Sequence, residues 1–204
     1  MSIYKKILGD KFNELHPKLQ ERYEISYDNP FHGKGKMRKI DEGHIWLFPL
    51  FYLGVKFKLL FPEHGTNIPF SIKNTYRVGK HGEEQIHWER IFHFRNKKRY
   101  FNALMSLDHS RKIIKDYLGE PHLVYSDLSF NVSPQGGLTI TSLHQRLVLG
   151  RVEIPLPKVF QGIATVKEEY NDENQMYEII VSVRNPLIGK VFSYEGEFRR
   201  NDVS

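Results

Sequence analysis

The sequence predicts a mainly β protein: an antiparallel sheet curved into a barrel or half-barrel, with short helices near the N-terminus and α+β character only at the margin. Three observations predict it. From Phe70 onward, short alternating apolar and polar segments are separated by turn residues at fairly regular intervals, as in antiparallel strands with one buried face. No helical repeat of convincing length interrupts that span. The chain has 204 residues, 40% hydrophobic and 13% aromatic, enough for one core and below the roughly 250–300 residues at which chains divide into domains. A single domain over 1–204 is expected, with a helical and loop part (1–62) packing on an antiparallel β part (70–199).

The elements follow in order. Ile3, Ile7, Leu8, Phe12 and Leu15 recur at three- and four-residue spacing, so Ile3 to Leu15 reads as a short helix. Pro17 ends the stripe, and Lys18 to Tyr23 reads as one more turn of helix. Pro30, Gly33 and Gly35 mark a loop, and a short strand is expected over Met37 to Ile40. Ile45 to Phe61 is apolar on nearly every side and must be buried or inserted somewhere. Strands are then expected near 70–78, 85–95, 98–107, 112–118, 122–132, 138–149, 162–170, 175–184 and 190–199.

Two hairpins can be read in register. A two-residue turn at Asn96–Lys97 sets Phe94 against Arg99, Phe92 against Phe101, Arg90 against Ala103, Trp88 against Met105 and Ile86 against Leu107. That face is apolar except for the arginines. Near the C-terminus, a loop around Asn185, Pro186 and Gly189 lets Tyr177, Ile179, Val181 and Val183 meet Phe192, Tyr194, Gly196 and Phe198. Ser142, His144 and Arg146 share parity with Leu138 and Ile140, which suggests a bulge there.

Composition excludes several functions. There is no Cys, hence no disulfide framework, cysteine-ligated zinc or thiol nucleophile. Net charge is +6, and the excess is confined to residues 1–100, with 19 Lys/Arg against 11 Asp/Glu. Such a bias serves solubility or attracts phosphate, anionic lipid or an acidic ligand. Met1 to Gly9 lacks the apolar core of a secretory signal, and the longest apolar run, Ile45 to Val55, is too short to span a bilayer. A cytoplasmic protein, or one peripheral to a membrane, is expected.

No cofactor is expected. The glycine-rich stretch His32–Gly33–Lys34–Gly35–Lys36 has neither P-loop nor dinucleotide spacing and reads as a loop feeding a strand. His87 and His93 share a strand face about 20 Å apart, too far to share one metal ion. His87 with Glu89 is a two-ligand alternative to a hydrated polar face, and no metal site is expected. GxSxG is absent. Aromatic residues follow core parity rather than displaying themselves among basic residues, so nucleic-acid binding is not expected.

Two features remain informative. Arg90 falls in the apolar set with Ile86, Trp88, Phe92 and Phe94, and a guanidinium facing a core needs a partner. It either holds the acidic group of a bound ligand, forms an internal salt bridge to a residue such as Glu168, or lies at an exposed strand end. The candidate ligand site is Arg90 for the head group, with Trp88, Phe92, Phe101 and Tyr194 lining the body of a lipid-like or other apolar anion. An enzyme acting on such a ligand would further need a shifted acid or base beside Arg90. The second feature is the aromatic and basic run from Trp46 to Phe61, with Phe51, Lys56 and Lys58, which suits a membrane or partner surface or else a lid that plugs the sheet.

The chain also resembles an uncharacterised bacterial family, domain-of-unknown-function family 4166. The resemblance rests on Ile3–Tyr4–Lys5–Lys6–Ile7–Leu8–Gly9, on Leu15–His16–Pro17 with Leu19–Gln20–Glu21–Arg22, and on Gly33–Lys34–Gly35–Lys36–Met37. It continues in Arg99 with Phe101, Gly136–Gly137–Leu138, Asn185–Pro186–Leu187–Ile188–Gly189 and Tyr194–Glu195–Gly196. It implies a bacterial protein, with relatives that stand alone or are joined to nucleotide-binding or membrane-spanning segments. It implies no activity and no catalytic residues.

Overall fold

A computed structural model of the chain describes residues 1–43, 48–150 and 152–201. Among the described residues there are twelve antiparallel strands: β1 (Phe31–Glu42), β2 (Gly65–Val78), β3 (Glu84–Phe94), β4 (Lys97–Tyr100), β5 (Ala103–Asp108), β6 (Ile113–Leu118), β7 (Val124–Val132), β8 (Leu138–Leu149), β9 (Val152–Pro155), β10 (Ile163–Asn171), β11 (Met176–Asn185) and β12 (Gly189–Arg200). Ten of them form a closed ring in the order β1-β2-β3-β5-β6-β7-β8-β10-β11-β12, and β12 returns to β1. β4 continues the line of β5 along β3, and β9 pairs with the outer part of β8. The expected barrel is therefore complete, with no half left open.

The strand that closes the ring beside β12 is one that the glycines disguise. His32 to Lys36 is not a loop; it belongs to a twelve-residue strand. Alternation explains it. Lys34 and Lys36 face outward, while Gly33 and Gly35 occupy inward positions where β1 meets β12. A Cβ on Gly35 would collide with the Glu197 carbonyl and lie 2.5 Å from Phe198 Cα, and one on Gly33 would lie 2.9 Å from Ile72 Cγ2. These glycines are punctuation of packing rather than of chain direction.

Both hairpins keep their predicted faces. β11 and β12 pair as expected, Tyr177 with Phe198, Ile179 with Gly196, Val181 with Tyr194 and Val183 with Phe192. In the β3 hairpin the turn is Arg95–Asn96, one residue earlier than expected. Every partner moves by two, so Phe92 faces Arg99, Trp88 faces Ala103 and Ile86 faces Met105. A shift of two preserves parity, and the apolar set stays inside. Between β4 and β5 the ladder is interrupted: Asn102 Oδ1 accepts the Arg90 N–H at 3.3 Å, and the Asn102 N–H donates to the Lys58 carbonyl at 2.8 Å. Register also shifts where β7 residues Ser126 and Leu128 meet Gln145 and Ser142.

Helices close the two ends. The first helix, α1 (Ile3–Leu8), stops at Gly9, whose φ of 56° favours glycine, and a 3₁₀ turn continues to Glu14. α2 (Pro17–Tyr23) follows. Both lie at the end holding the β7–β8 and β10–β11 turns; His16 N–H donates to the Gly136 carbonyl and the Tyr177 hydroxyl to the Lys18 carbonyl. α3 (Phe48–Lys56) and the chain to Phe61 cover the far end. There Phe51 and Phe61 are fully buried, and the Phe61 ring lies 4.9 Å from those of both Phe92 and Phe192. Ile45 and Trp46 lie outside the described residues.

The close approach of β1 to β12 makes a prediction. Gly35→Val will lower stability by about 1–3 kcal/mol or more, since the added atoms meet backbone that cannot yield. Lys34→Val, on the outward side of the same strand, will stay within about 0.5 kcal/mol of the parent. Urea unfolding midpoints of the two variants check the difference.

Candidate functional site

Two arginines point into the lumen, and their surroundings differ. Arg22, from α2, is completely buried. Its Nε and Nη2 donate to the two carboxylate oxygens of Glu168 at 2.9 and 3.2 Å, and Nη1 donates to Asn74 Oδ1 at 2.9 Å. Its guanidinium lies 4.3 Å from the ring centre of Phe31 and 5.0 Å from that of Trp88. This is a fork-to-fork pair, with Asn74 taking a third donor. Burial opposes the charge on Arg22, and Glu168 more than restores it. Glu168 thus belongs to Arg22 and not to Arg90.

Arg90, from β3, is also buried. Its Nε donates to the Phe101 carbonyl at 2.7 Å and its Nη1 to the Tyr194 hydroxyl at 3.3 Å. The guanidinium sits 4.3 Å from the centre of the Phe101 ring and 5.7 Å from that of Trp88. No carboxylate among the described residues forms an ion pair with it. Phe101, not the expected Ala103, is its cross-strand neighbour, because of the two-residue shift.

A cavity of about 30 Å³ adjoins this group, walled by Trp88, Arg90, Phe101, Met105, Asp116 and Ser142 together with aliphatic residues. That space takes one or two water-sized groups. It does not take an acyl chain, and aromatic side chains fill the space expected for the body of a guest. Phe70, Phe92 and Tyr194 pack ring against ring, with centres 5.1 to 6.4 Å apart. The five expected ligand residues do come together, Trp88, Arg90 and Phe101 on the cavity wall and Phe92 and Tyr194 in the packing behind it.

Asp116 is the residue that sequence reading missed. It stands on β6 between inward Ile114 and Leu118, and its Oδ1 is buried without a hydrogen bond. Burial pushes its pKa up to about 7, and the positive charge of Arg90 restrains the rise. The same test that singled out Arg90, a charge at an apolar parity position, would have found it.

The outer polar face is engaged differently from expectation. His87 Nε2 bonds Glu120, and its Nδ1 lies 3.1 Å from Arg77 Nη2. Lys58 joins the same carboxylate at 2.7 Å. Although burial raises the pKa of Glu120, these hydrogen bonds bring it down to about 2. His93 bonds Ser71. Of the expected surface residues, Phe51 is corrected: it plugs the barrel and presents nothing to a membrane. Lys56 is exposed, Lys58 is tied to Glu120, and Trp46 lies outside the described residues.

Asp116 makes stability depend on pH. Its folded pKa lies above the ordinary 3.8, so the folded state holds the proton more tightly than the unfolded chain. Stability is greatest below about pH 4 for this group and falls as pH rises toward about 7, by a few kcal/mol. Asp116→Asn will remove that loss. Its stability relative to the parent will rise between pH 4 and pH 8, as measured by urea unfolding; a constant difference across that range contradicts the burial of an unpaired carboxyl.

A family model described as a domain of unknown function (DUF4166) matches residues 15–198. The chain is 40% identical over 201 residues to YndH of Bacillus subtilis (strain 168), an uncharacterised protein, with 98% of each chain covered. The chain belongs to the DUF4166 family.

Proposed function

We propose that the protein is a non-enzymatic receptor for an apolar or amphipathic organic anion, with Arg90 pairing its acidic group. One observation carries the reading: Arg90 is a buried cation with only uncharged hydrogen-bond partners, while Arg22 in the same lumen has a carboxylate of its own. A guanidinium offers two parallel donors to a carboxylate or phosphate. Asp116 beside it is held near neutrality, so it can donate a proton to an incoming anion instead of repelling it. The cavity admits the acidic group alone. The apolar body must enter by displacing lumen side chains, and the cover of α3 and Phe61 is the natural point of entry because it is a separate segment resting on the strand ends.

A second reading is favoured by Asp116 alone. A buried carboxyl titrating near neutral pH, in a cavity beside a cation, has the properties of a general acid or base. On that reading the guest is transformed and not merely held.

Native mass spectrometry of the purified protein, followed by solvent extraction, tests both. The parent carries an added mass of an organic acid, and Arg90→Met, which keeps the volume and the fold by circular dichroism, loses it. No added mass on the parent, or the same mass on both, overturns the receptor. An extracted molecule that differs between the parent and Asp116→Asn promotes the enzyme.

A further inference from the structure

Six of the exposed large apolar side chains gather at one end of the barrel, while others, among them Tyr27 and Val78, lie elsewhere. Tyr52 and Leu53 on α3, Leu149 and Val152 flanking the β8–β9 turn, Phe160 before β10 and Leu187 in the β11–β12 turn all project at the far end, opposite α1 and α2. Phe160 and Leu187 are 70% and 71% exposed. They come from four separate segments that the closed ring brings to one rim. Large exposed apolar groups gathered in this way mark an interaction surface.

Charge says what kind. Asp41, Glu63, Glu120 and Glu153 are acidic side chains at that end, and each is held by at least one cation: Asp41 by Lys39 and Lys190, Glu63 by Lys97 and Arg99, Glu120 by Lys58, Glu153 by Arg146. Lys56, Lys158 and Arg184 are exposed at the same rim and form no ion pair with a described residue. Apolar tips among uncompensated cations match the interface of an anionic bilayer.

The alternatives fit less well. β9 has a free edge that a second copy could extend, but Pro155 removes a donor from a strand of four residues. The barrel itself does not span lipid. Its wall carries Lys34, Lys36, Lys73 and Glu89 outward around an apolar lumen, the inverse of a lipid-spanning barrel. No described helix is long and apolar enough to cross a membrane.

We propose that the far end docks on an anionic lipid surface, with Tyr52, Leu53, Leu149, Val152, Phe160 and Leu187 entering the interface and Lys56, Lys158 and Arg184 facing lipid phosphates. This rests on the rim alone and stands whether or not Arg90 holds a guest.

The test is sedimentation of the full chain with phosphatidylcholine vesicles, with and without phosphatidylserine, at low and high salt. Binding is expected to the phosphatidylserine vesicles, weakening with salt. It should fall about tenfold or more in Lys56→Glu/Lys158→Glu and be lost in Phe160→Ser/Leu187→Ser. Both pairs are exposed, so melting temperature should hold. Tyr27→Ser/Val78→Ser, exposed at the helical end, should bind as the parent does. Absence of binding at low salt, or equal binding by all three double variants, overturns the proposal. So does a dimer in analytical ultracentrifugation that only Phe160→Ser/Leu187→Ser abolishes, which would assign the rim to a second copy.

Discussion

Burying two guanidinium groups in one closed barrel is the constraint from which the rest follows. Each would cost several kcal/mol if left without partners, and the protein meets that cost in two ways. Arg22 receives a matched carboxylate, an amide oxygen and aromatic faces. It ties α2 across the lumen to β10 and so fastens the helical end of the barrel. Arg90 receives a backbone carbonyl, a phenol and the face of Phe101. Its polar contacts are real, but none carries a negative charge. The nearby carboxyl that could supply one, Asp116, is itself too dry to ionise readily.

The lumen around this pair is crowded. Trp88 donates its indole N–H to the Tyr4 hydroxyl at 2.7 Å, and that hydroxyl lies 3.1 Å from Met105 Sδ. Helix α1 is thereby joined to the cavity wall. At the other end Phe61 fills the gap between Phe92 and Phe192. The barrel is thus sealed from both ends by segments that precede its second strand in sequence. Any guest of appreciable size must shift one of them, and the far segment is anchored through buried Phe51, Leu59, Leu60 and Phe61, the Lys58–Glu120 contact and backbone hydrogen bonds from Asn102 and Glu120.

Much of the fold was legible because period-two alternation survives small errors of register. The β3 turn lies one residue away from its expected place, yet Ile86, Trp88, Arg90 and Phe92 remain inside. β1 was mostly illegible for the opposite reason. Gly33 and Gly35 have no side chain with which to mark a face, and their role depends on how closely β12 approaches. Arg90 was legible as a charge out of place. Phe101 and Tyr194 were legible as its neighbours, but the ion pairing in the lumen was not, since parity says which residues share a face but not which pairs of strands meet across a lumen. Glu168 could be read as inward; that α2 would deliver Arg22 to it could not. The rim at the far end was visible only in part, through α3, because Leu149, Phe160 and Leu187 meet there only once the ring is closed.

The central claim is that Arg90, unlike Arg22, is a buried cation with an unfilled demand for negative charge. Nitrogen-15 NMR of the two guanidinium groups, with octanoate titrated into the protein, tests it most directly, since Arg22 serves as an internal control. The Arg90 Nε–H resonance should shift saturably while that of Arg22 stays in place. An Arg90 resonance that does not move, or that moves only together with Arg22, would contradict the claim.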